Sequence, residues 1–210
     1  MHGRYKQDTP TIVSETTPSL HLASASLRRA EILDALGVSY SMGGVDLDEQ
    51  QLVGEPPDEM VLRLASEKAA AARLTHSLPV LAADTVVVVD AAVFGKPQDQ
   101  EEALAMLARL SGRSHQVMTG VAIVWDDGQR TVLSVNEVHF REIGPDEAFA
   151  YWQSGEPRGK AGAYAIQGLG GVFVENIQGS YSGVVGLPVF ETAALLTAAG
   201  IDVIKRAVME

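Results

Sequence analysis

The chain has 210 residues, 46% of them apolar, which is enough to bury a sizeable core within one domain. Its 27 acidic and 16 basic side chains leave a formal charge of −11, which repels polyanions and disfavours a nucleic-acid-coating role. The absence of cysteine removes disulfides, thiolate metal sites and cysteine nucleophiles together, and it fits a reducing, cytoplasmic compartment.

Residues 1–19 are rich in Thr, Ser and Pro and contain no signal-peptide core, so they read as a flexible lead before a single body over 20–210. No stretch approaches the ~18 to 20 apolar residues of a membrane span, and no membrane partner is expected. From Leu20 onward, short apolar runs alternate with helical periodicity, the order of an α/β fold. Leu20 to Ala23 is a short strand. Ser24-Ala25-Ser26 then leads into a helix through Leu27, Ala30, Leu33 and Leu36 that Gly37 closes. A second helix follows Pro56-Pro57-Asp58 and runs to about Leu74, with Val61, Leu64, Ala65, Ala69 and Ala72 on one stripe. Val80 to Val89 is a nearly continuous apolar run, a strand buried on both faces and interrupted only by Asp84-Thr85.

Gly95-Lys96-Pro97 is a turn, and Asp99 with Glu102 three residues on marks the start of a helix through Leu110. Val117 to Trp125 and Thr131 to Phe140 are two strands joined at Asp126-Asp127-Gly128, and a helix runs from Pro145 to Gly155. Nine of the 20 glycines then fall in residues 155–186, a density that implies tight turns and close backbone approach to a ligand, with a strand at Val172 to Ile177. Pro188 and Gly200 frame the closing helix.

Several basic residues occur at turns or on apolar faces of this acidic chain, and each is a candidate phosphate ligand. Arg28 and Arg29 lie in the first turn of a helix, where the dipole favours anions, beside the hydroxyls of Ser24 and Ser26. The alternative there is a plain N-cap with solvated arginines. Lys68 falls on the inward stripe of its helix and either snorkels to the edge or reaches an anion in a cleft. Asp84 is sharper, because a carboxylate within a buried strand is costly without a cation, metal or donor set. Lys96 either meets the same ligand or is a surface turn residue. The run Asp46, Asp48, Glu49 reads equally as a solvated loop or as a carboxylate source for a hard cation such as Mg²⁺. Phosphate-loop, dinucleotide, nucleophile-elbow and zinc-protease patterns are absent, and His115 and His139 read as strand-flanking polar residues.

Taken together, LASASLRRAEIL, SEKAAAA, AADTVVVVD, GKP, LSGRSHQVMTGVAI, YWQSGEPRGKAGAYAIQGLGG and GSYSGVVGLPVFET resemble the Maf family of nucleoside triphosphate pyrophosphatases over roughly Leu20 to Leu196. Leu27 departs from it, since the family often has proline before the arginines. The resemblance implies an elongated Maf/ITPase-like α/β fold with a central mixed sheet, a nucleotide cleft between two lobes, and a homodimer. It implies that Asp84 is the catalytic base and that Ser24, Ser26, Arg28, Arg29, Lys68 and Lys96 line a triphosphate cleft. The AYAIQG form with Gln167, together with Arg28 and Thr85, looks like the branch acting on dTTP and UTP, with Gln167 reading the base edge. A divalent ion, Mg²⁺ or Mn²⁺, would be held by Asp84 and by Glu49, which aligns with an acidic family position. Trp152 and the apolar final helix are candidate dimer surfaces, although core packing explains both equally well. A rival reading, also prompted by the family's link to septum formation and cell division, is a non-catalytic nucleotide-binding regulator. Asp84 argues against it, because a carboxylate facing phosphates does nothing for a pure anion binder.

Overall fold

A computed structural model describes residues 17–206. Sixteen residues of the lead therefore lie outside the described residues. Ser19, placed in that lead, instead belongs to the body, because its backbone N–H and hydroxyl both donate to the Ser39 carbonyl at 3.0 Å.

The order is β1 (Leu20–Ala23), α1 (Leu27–Ala35), β2 (Tyr40–Gly43), α2 (Pro57–Arg73), β3 (Val80–Val89), β4 (Ala92–Phe94), α3 (Gln100–Leu110), β5 (Ser114–Trp125), β6 (Gly128–Phe140), α4 (Pro145–Gln153), β7 (Val174–Gln178), α5 (Tyr181–Val185), α6 (Val189–Ala198) and α7 (Val203–Arg206). The strands form one mixed sheet in the order β2-β1-β3-β5-β6-β7, with β4 also on β3. β1 runs parallel to β2 and β3, and the remaining pairs are antiparallel.

Alternation along β3 sends its residues to the two faces of the sheet. Ala82, Val86 and Val88 face α2, where Val61, Leu64, Ala65 and Ala69 supply the apolar stripe. Leu81 and Ala83 face α1 and α6 with Leu33, Leu195 and Leu196, whereas Val87 and Val89 face α3 and α4 with Leu107 and Trp152. The latter two cores occupy opposite ends of one sheet face and form two lobes. Between them lie Thr85 and its register partner Thr119 on β5. Each large aliphatic side chain removed from water contributes roughly 1.5 to 3 kcal/mol, which fixes the lobes firmly on either side of this polar seam.

Several boundaries differ from the sequence reading. β2 and β4 carry no legible signal, since Tyr40–Gly43 is half exposed and Ala92–Phe94 has only three residues. β4 is reached through Asp90 and Ala91, both at positive φ, a two-residue hairpin turn without glycine. β5 begins three residues before Val117 and β6 three before Thr131. Leu169–Phe173 is a short 3-10 turn, so the last strand starts at Val174 and not at Val172. His115 is interior to β5 and buried, not strand-flanking. Trp152 is buried in the second lobe and offers no surface, while Phe190 at the start of α6 is exposed.

Candidate active site

The cleft begins with a break in strand pairing. On one edge β3 pairs with β1 only at Val80 and Leu81, and with β4 only from Val87 to Val89. Asp84 and Thr85 lie in the interval, while their other edge is covered continuously by Gly120 and Thr119 of β5. The polar pair in the valine run therefore marks the place where the sheet opens. A cleft of about 1100 Å³ occupies this opening; Ser24, Ser26, Arg28, Arg29, Glu49, Lys68, Asp84, Thr85, Lys96 and Gln167 all line it, whereas Asp46 and Asp48 do not.

On the α2 side, Asp84 and Lys68 are both buried, and Lys68 Nζ donates to Asp84 Oδ1 at 2.6 Å. Of the two readings for this lysine, snorkelling to the edge is set aside. The same ammonium lies 2.5 Å from Glu49 Oε1, and Lys96 Nζ donates to Glu49 Oε2 at 3.2 Å. Glu49 thus bridges two lysines from a loop. Burial alone would raise its pKa, but hydrogen bonds and charge from Lys68 and Lys96 outweigh that and hold it below the ordinary value. α2 can lie this close because Gly120 faces it; a Cβ there would collide with the Val61 carbonyl. Asp84 Oδ2 makes no hydrogen bond among the described residues, which leaves one carboxylate oxygen for a water or ligand.

On the opposite side Arg29 is a clasp. It donates to the Gly186 carbonyl at 2.9 Å, to Ser24 Oγ at 3.2 Å and to Thr85 Oγ1 at 3.2 Å, tying α1, β3 and the α5–α6 turn together. Burial lowers its pKa, Asp84 raises it and the neighbouring Arg28 lowers it again. Gly186, at φ 118, is required for this approach, since a side chain there would crowd Thr85 and Arg29. Ser24 Oγ also accepts from the Ser26 N–H at 3.1 Å, so both its acceptor sites are used and its own proton remains for a ligand. Thr85 differs. Thr119 donates to the Gly183 carbonyl, so the 2.9 Å contact between the threonines is a donation from Thr85, which has no proton left for substrate. Ser26 occupies the N-cap of α1, but its side chain makes no capping bond.

At the mouth stand Arg28, Gln167 and two cations missed by the sequence reading, Arg158 and Lys160. Lys160 Nζ donates to the Arg158 carbonyl at 3.2 Å, and the Arg158 guanidinium lies over the Trp152 ring at 5.2 Å. Burial, then the charge of Arg28, pushes the Lys160 pKa down. Two basic residues within three positions of a glycine-rich stretch in an acidic chain are the signal that could have found them. In all, the cleft is lined by six basic and two acidic side chains, a formal excess of four positive charges in a chain carrying −11. Among the described residues no three His, Cys, Asp or Glu side chains form a metal-binding group.

The family model described as Maf-like protein matches residues 19–199. A dTTP/UTP pyrophosphatase of Saccharophagus degradans is 51% identical over 189 residues, 88% of this chain and 90% of that protein. Proteins of the same name from Alkalilimnicola ehrlichii and Methylococcus capsulatus are 50% and 49% identical, spanning 90% and 87% of this chain and 96% and 91% of their own. Among solved structures, the Staphylococcus aureus Ham1 protein aligns with a TM-score of 0.42 and 15% identity over 58% of this chain and 71% of its own. A matched model over nearly the whole body, together with relatives near half identity over most of their length, places this chain in the Maf-like family.

Proposed function

We propose that the protein hydrolyses dTTP and UTP at the α-phosphorus, yielding the nucleoside monophosphate and pyrophosphate. The observation that carries this reading is the excess of four positive charges gathered around a single carboxylate-bearing break in the sheet. Such a field suits a triphosphate, and the names of the relatives supply the nucleotides.

In this mechanism Lys68 holds Asp84 through Oδ1, and Oδ2 orients a water and takes its proton as that water attacks the α-phosphorus. The P–O bond to the β-phosphate breaks opposite the incoming oxygen, and the charge on departing pyrophosphate is neutralised by Arg28, Lys96 and Lys68. Ser24 donates its remaining proton to a phosphate oxygen, and Arg29 keeps Ser24 and Thr85 in register with the strand. Gln167 pairs through its amide with the N3–H and a carbonyl of uracil or thymine.

The donor set fits a divalent ion delivered with the nucleotide. Asp84 and Glu49 are hard carboxylates brought to one ammonium, and a pair of carboxylates completed by phosphate oxygens is the usual Mg²⁺ arrangement. Bound Mg²⁺ or Mn²⁺ would add neutralisation of phosphate charge. A homodimer and a cytoplasmic location complete the proposal. Exposed Phe190 and Tyr181 support the first and the cysteine-free composition the second. No helix among the described residues is long and apolar enough to cross a membrane.

The test is incubation with dTTP, UTP, CTP and 7-methyl-GTP, with and without Mg²⁺ or Mn²⁺, followed by product separation. Monophosphate with pyrophosphate from dTTP and UTP supports the proposal. Diphosphate with phosphate places attack at the terminal phosphorus and overturns it.

A further inference from the structure

Gln167 is exposed at the cleft and projects from a turn, yet the backbone on both sides of it is pinned. The pinning group is Glu156, eleven residues upstream. Its Oε2 accepts the Leu169 N–H at 2.9 Å, its Oε1 accepts the Gly170 N–H at 2.9 Å, and the buried Tyr151 hydroxyl donates to Oε1 at 2.7 Å. The Tyr151 oxygen in turn accepts the Ala165 N–H at 3.0 Å. The backbone before and after Gln167 is therefore fastened to one carboxylate–phenol pair, and Tyr151 is itself anchored edge-on against Phe173 with centroids 5.0 Å apart.

The packing around this pair is unusually close. A Cβ on Gly168 would collide with the Glu156 carboxylate, and one on Gly170 would collide with the Tyr151 hydroxyl. The glycines flanking Gln167 on its C-terminal side are thus the residues that let the carboxylate reach the backbone. Only a carboxylate supplies an all-acceptor end for two N–H groups and a phenol together; an amide would turn a donor toward one of them. Nothing in the hydrolytic chemistry calls for Glu156, and its side-chain hydrogen bonds all lead to the turn that presents Gln167.

We propose that Glu156, with Tyr151, is a positioning latch that sets which pyrimidine base the cleft accepts by fixing the backbone on either side of Gln167. The inference rests on the base-reading role assigned to Gln167 above. Releasing the latch leaves Asp84 and the basic cluster in place but lets the Gln167 amide rotate and shift. An unfixed amide can present its carbonyl to cytosine as readily as its N–H₂ to uracil. The predicted loss is therefore in discrimination and enters mainly through KM.

The experiment uses the full chain and measures pyrophosphate release from UTP, dTTP and CTP for Glu156→Ala, Glu156→Gln, Gly168→Ala and Gln167→Ala. Amide exchange at Leu169 and Gly170 is followed in parallel. Gly168→Ala attacks the latch from the other side, because its methyl group displaces the carboxylate without deleting it, at a residue whose φ of −119° any side chain tolerates. Glu156→Ala and Gly168→Ala should each lower the UTP:CTP ratio of kcat/KM by about tenfold, with faster exchange of both amides, and Glu156→Gln should retain part of the ratio. An unchanged ratio in a folded Glu156→Gln or Gly168→Ala variant whose amides exchange faster overturns the latch, as does an equal fall for all three nucleotides. If Gln167→Ala shifts the ratio and the latch variants do not, only the latch is lost. A flat ratio in Gln167→Ala removes the base-reading assignment and the latch's consequence with it.

Discussion

The two sides of the cleft hold their side chains by different means. On the sheet side, Asp84, Lys68 and Arg29 project from a ten-residue strand and two helices, with Lys68 tied to Asp84 and Arg29 to Thr85 by charged hydrogen bonds. On the other, Gln167, Lys160 and Arg158 project from turns and short 3-10 segments, where backbone N–H groups fastened to Glu156 and Tyr151 take the place of regular structure. The first arrangement concentrates charge on rigid elements, as chemistry at phosphorus requires. The second makes a contour from backbone, which suits recognition of a base and can be changed without touching the reaction. If this division is right, substitutions on the sheet side should change turnover or stability, and those on the turn side should change selectivity.

The largest expected effect is at Asp84. Asp84→Asn keeps an oxygen for Lys68 but cannot take a proton, and pyrophosphate release should fall about 10²- to 10⁴-fold in a protein that still melts cooperatively. An unaltered rate in folded variant would remove Asp84 as the base and blur the division at its strongest point.

Lys68→Met comes next and is read in stability. It leaves the Asp84 and Glu49 carboxylates facing one another without their shared cation, and breaking a buried pair in this way costs about 3 kcal/mol. Denaturant unfolding should show that loss, and Glu49→Gln in the same background should restore part of it. Full stability in Lys68→Met would mean that both carboxylates are already solvated, contrary to the burial of Asp84.

A third effect tests how the turn side is anchored. His115 is buried under the glycine-rich segment, with Nε2 2.9 Å from the Tyr164 hydroxyl and Nδ1 without a partner among the described residues. Burial, then His139, pushes its pKa down to about 4. Between that value and the ordinary 6.5 the unfolded chain binds a proton that the folded chain does not, so stability rises with pH across this window. The contribution is complete above about pH 6.5 and is lost as pH falls toward 4, on the order of 3 kcal/mol. Unfolding at pH 5 and pH 7 should show a smaller difference for His115→Gln than for the parent chain. An equal difference would assign the acid sensitivity to another group.

The same division explains what could be read from sequence alone. Asp84 and Lys68 were legible because each interrupts a regular apolar pattern, one in a valine-rich strand and one on a helical stripe, and a charge breaking such a pattern needs a partner. Asp99 was legible as an N-cap for the same reason of local chemistry, and its carboxylate does accept the Glu102 N–H at 2.9 Å. Glu49 was ambiguous because its loop has no period; only the fold shows that it bridges Lys68 and Lys96. Arg29 reads as a phosphate ligand beside Arg28, and its additional reach to Gly186 crosses 157 residues of sequence that no local pattern reports. On the turn side, glycine density announced close approach without saying of what to what. That Gly168 makes room for Glu156, and Gly186 for Arg29, follows from tertiary contacts alone.

The smallest expected effect probes the base end and separates the two sides most cleanly. Gln167→Glu keeps size and shape but replaces the amide N–H₂ with a second acceptor. Uracil and thymine present two carbonyls and one N–H on their pairing edge, so the amide's donor meets a carbonyl that a carboxylate would repel. The change lies at the exposed rim, away from Asp84, so kcat should hold while KM for UTP and dTTP rises about tenfold. Cytosine offers an exocyclic amine where uracil has a carbonyl, so CTP should gain relative to both. Steady-state kinetics on the three nucleotides decides the point. A fall in kcat with KM unchanged would mean that Gln167 takes part in positioning the α-phosphorus, and the separation between a charge-built reaction side and a backbone-built recognition side would fail at the residue meant to define it.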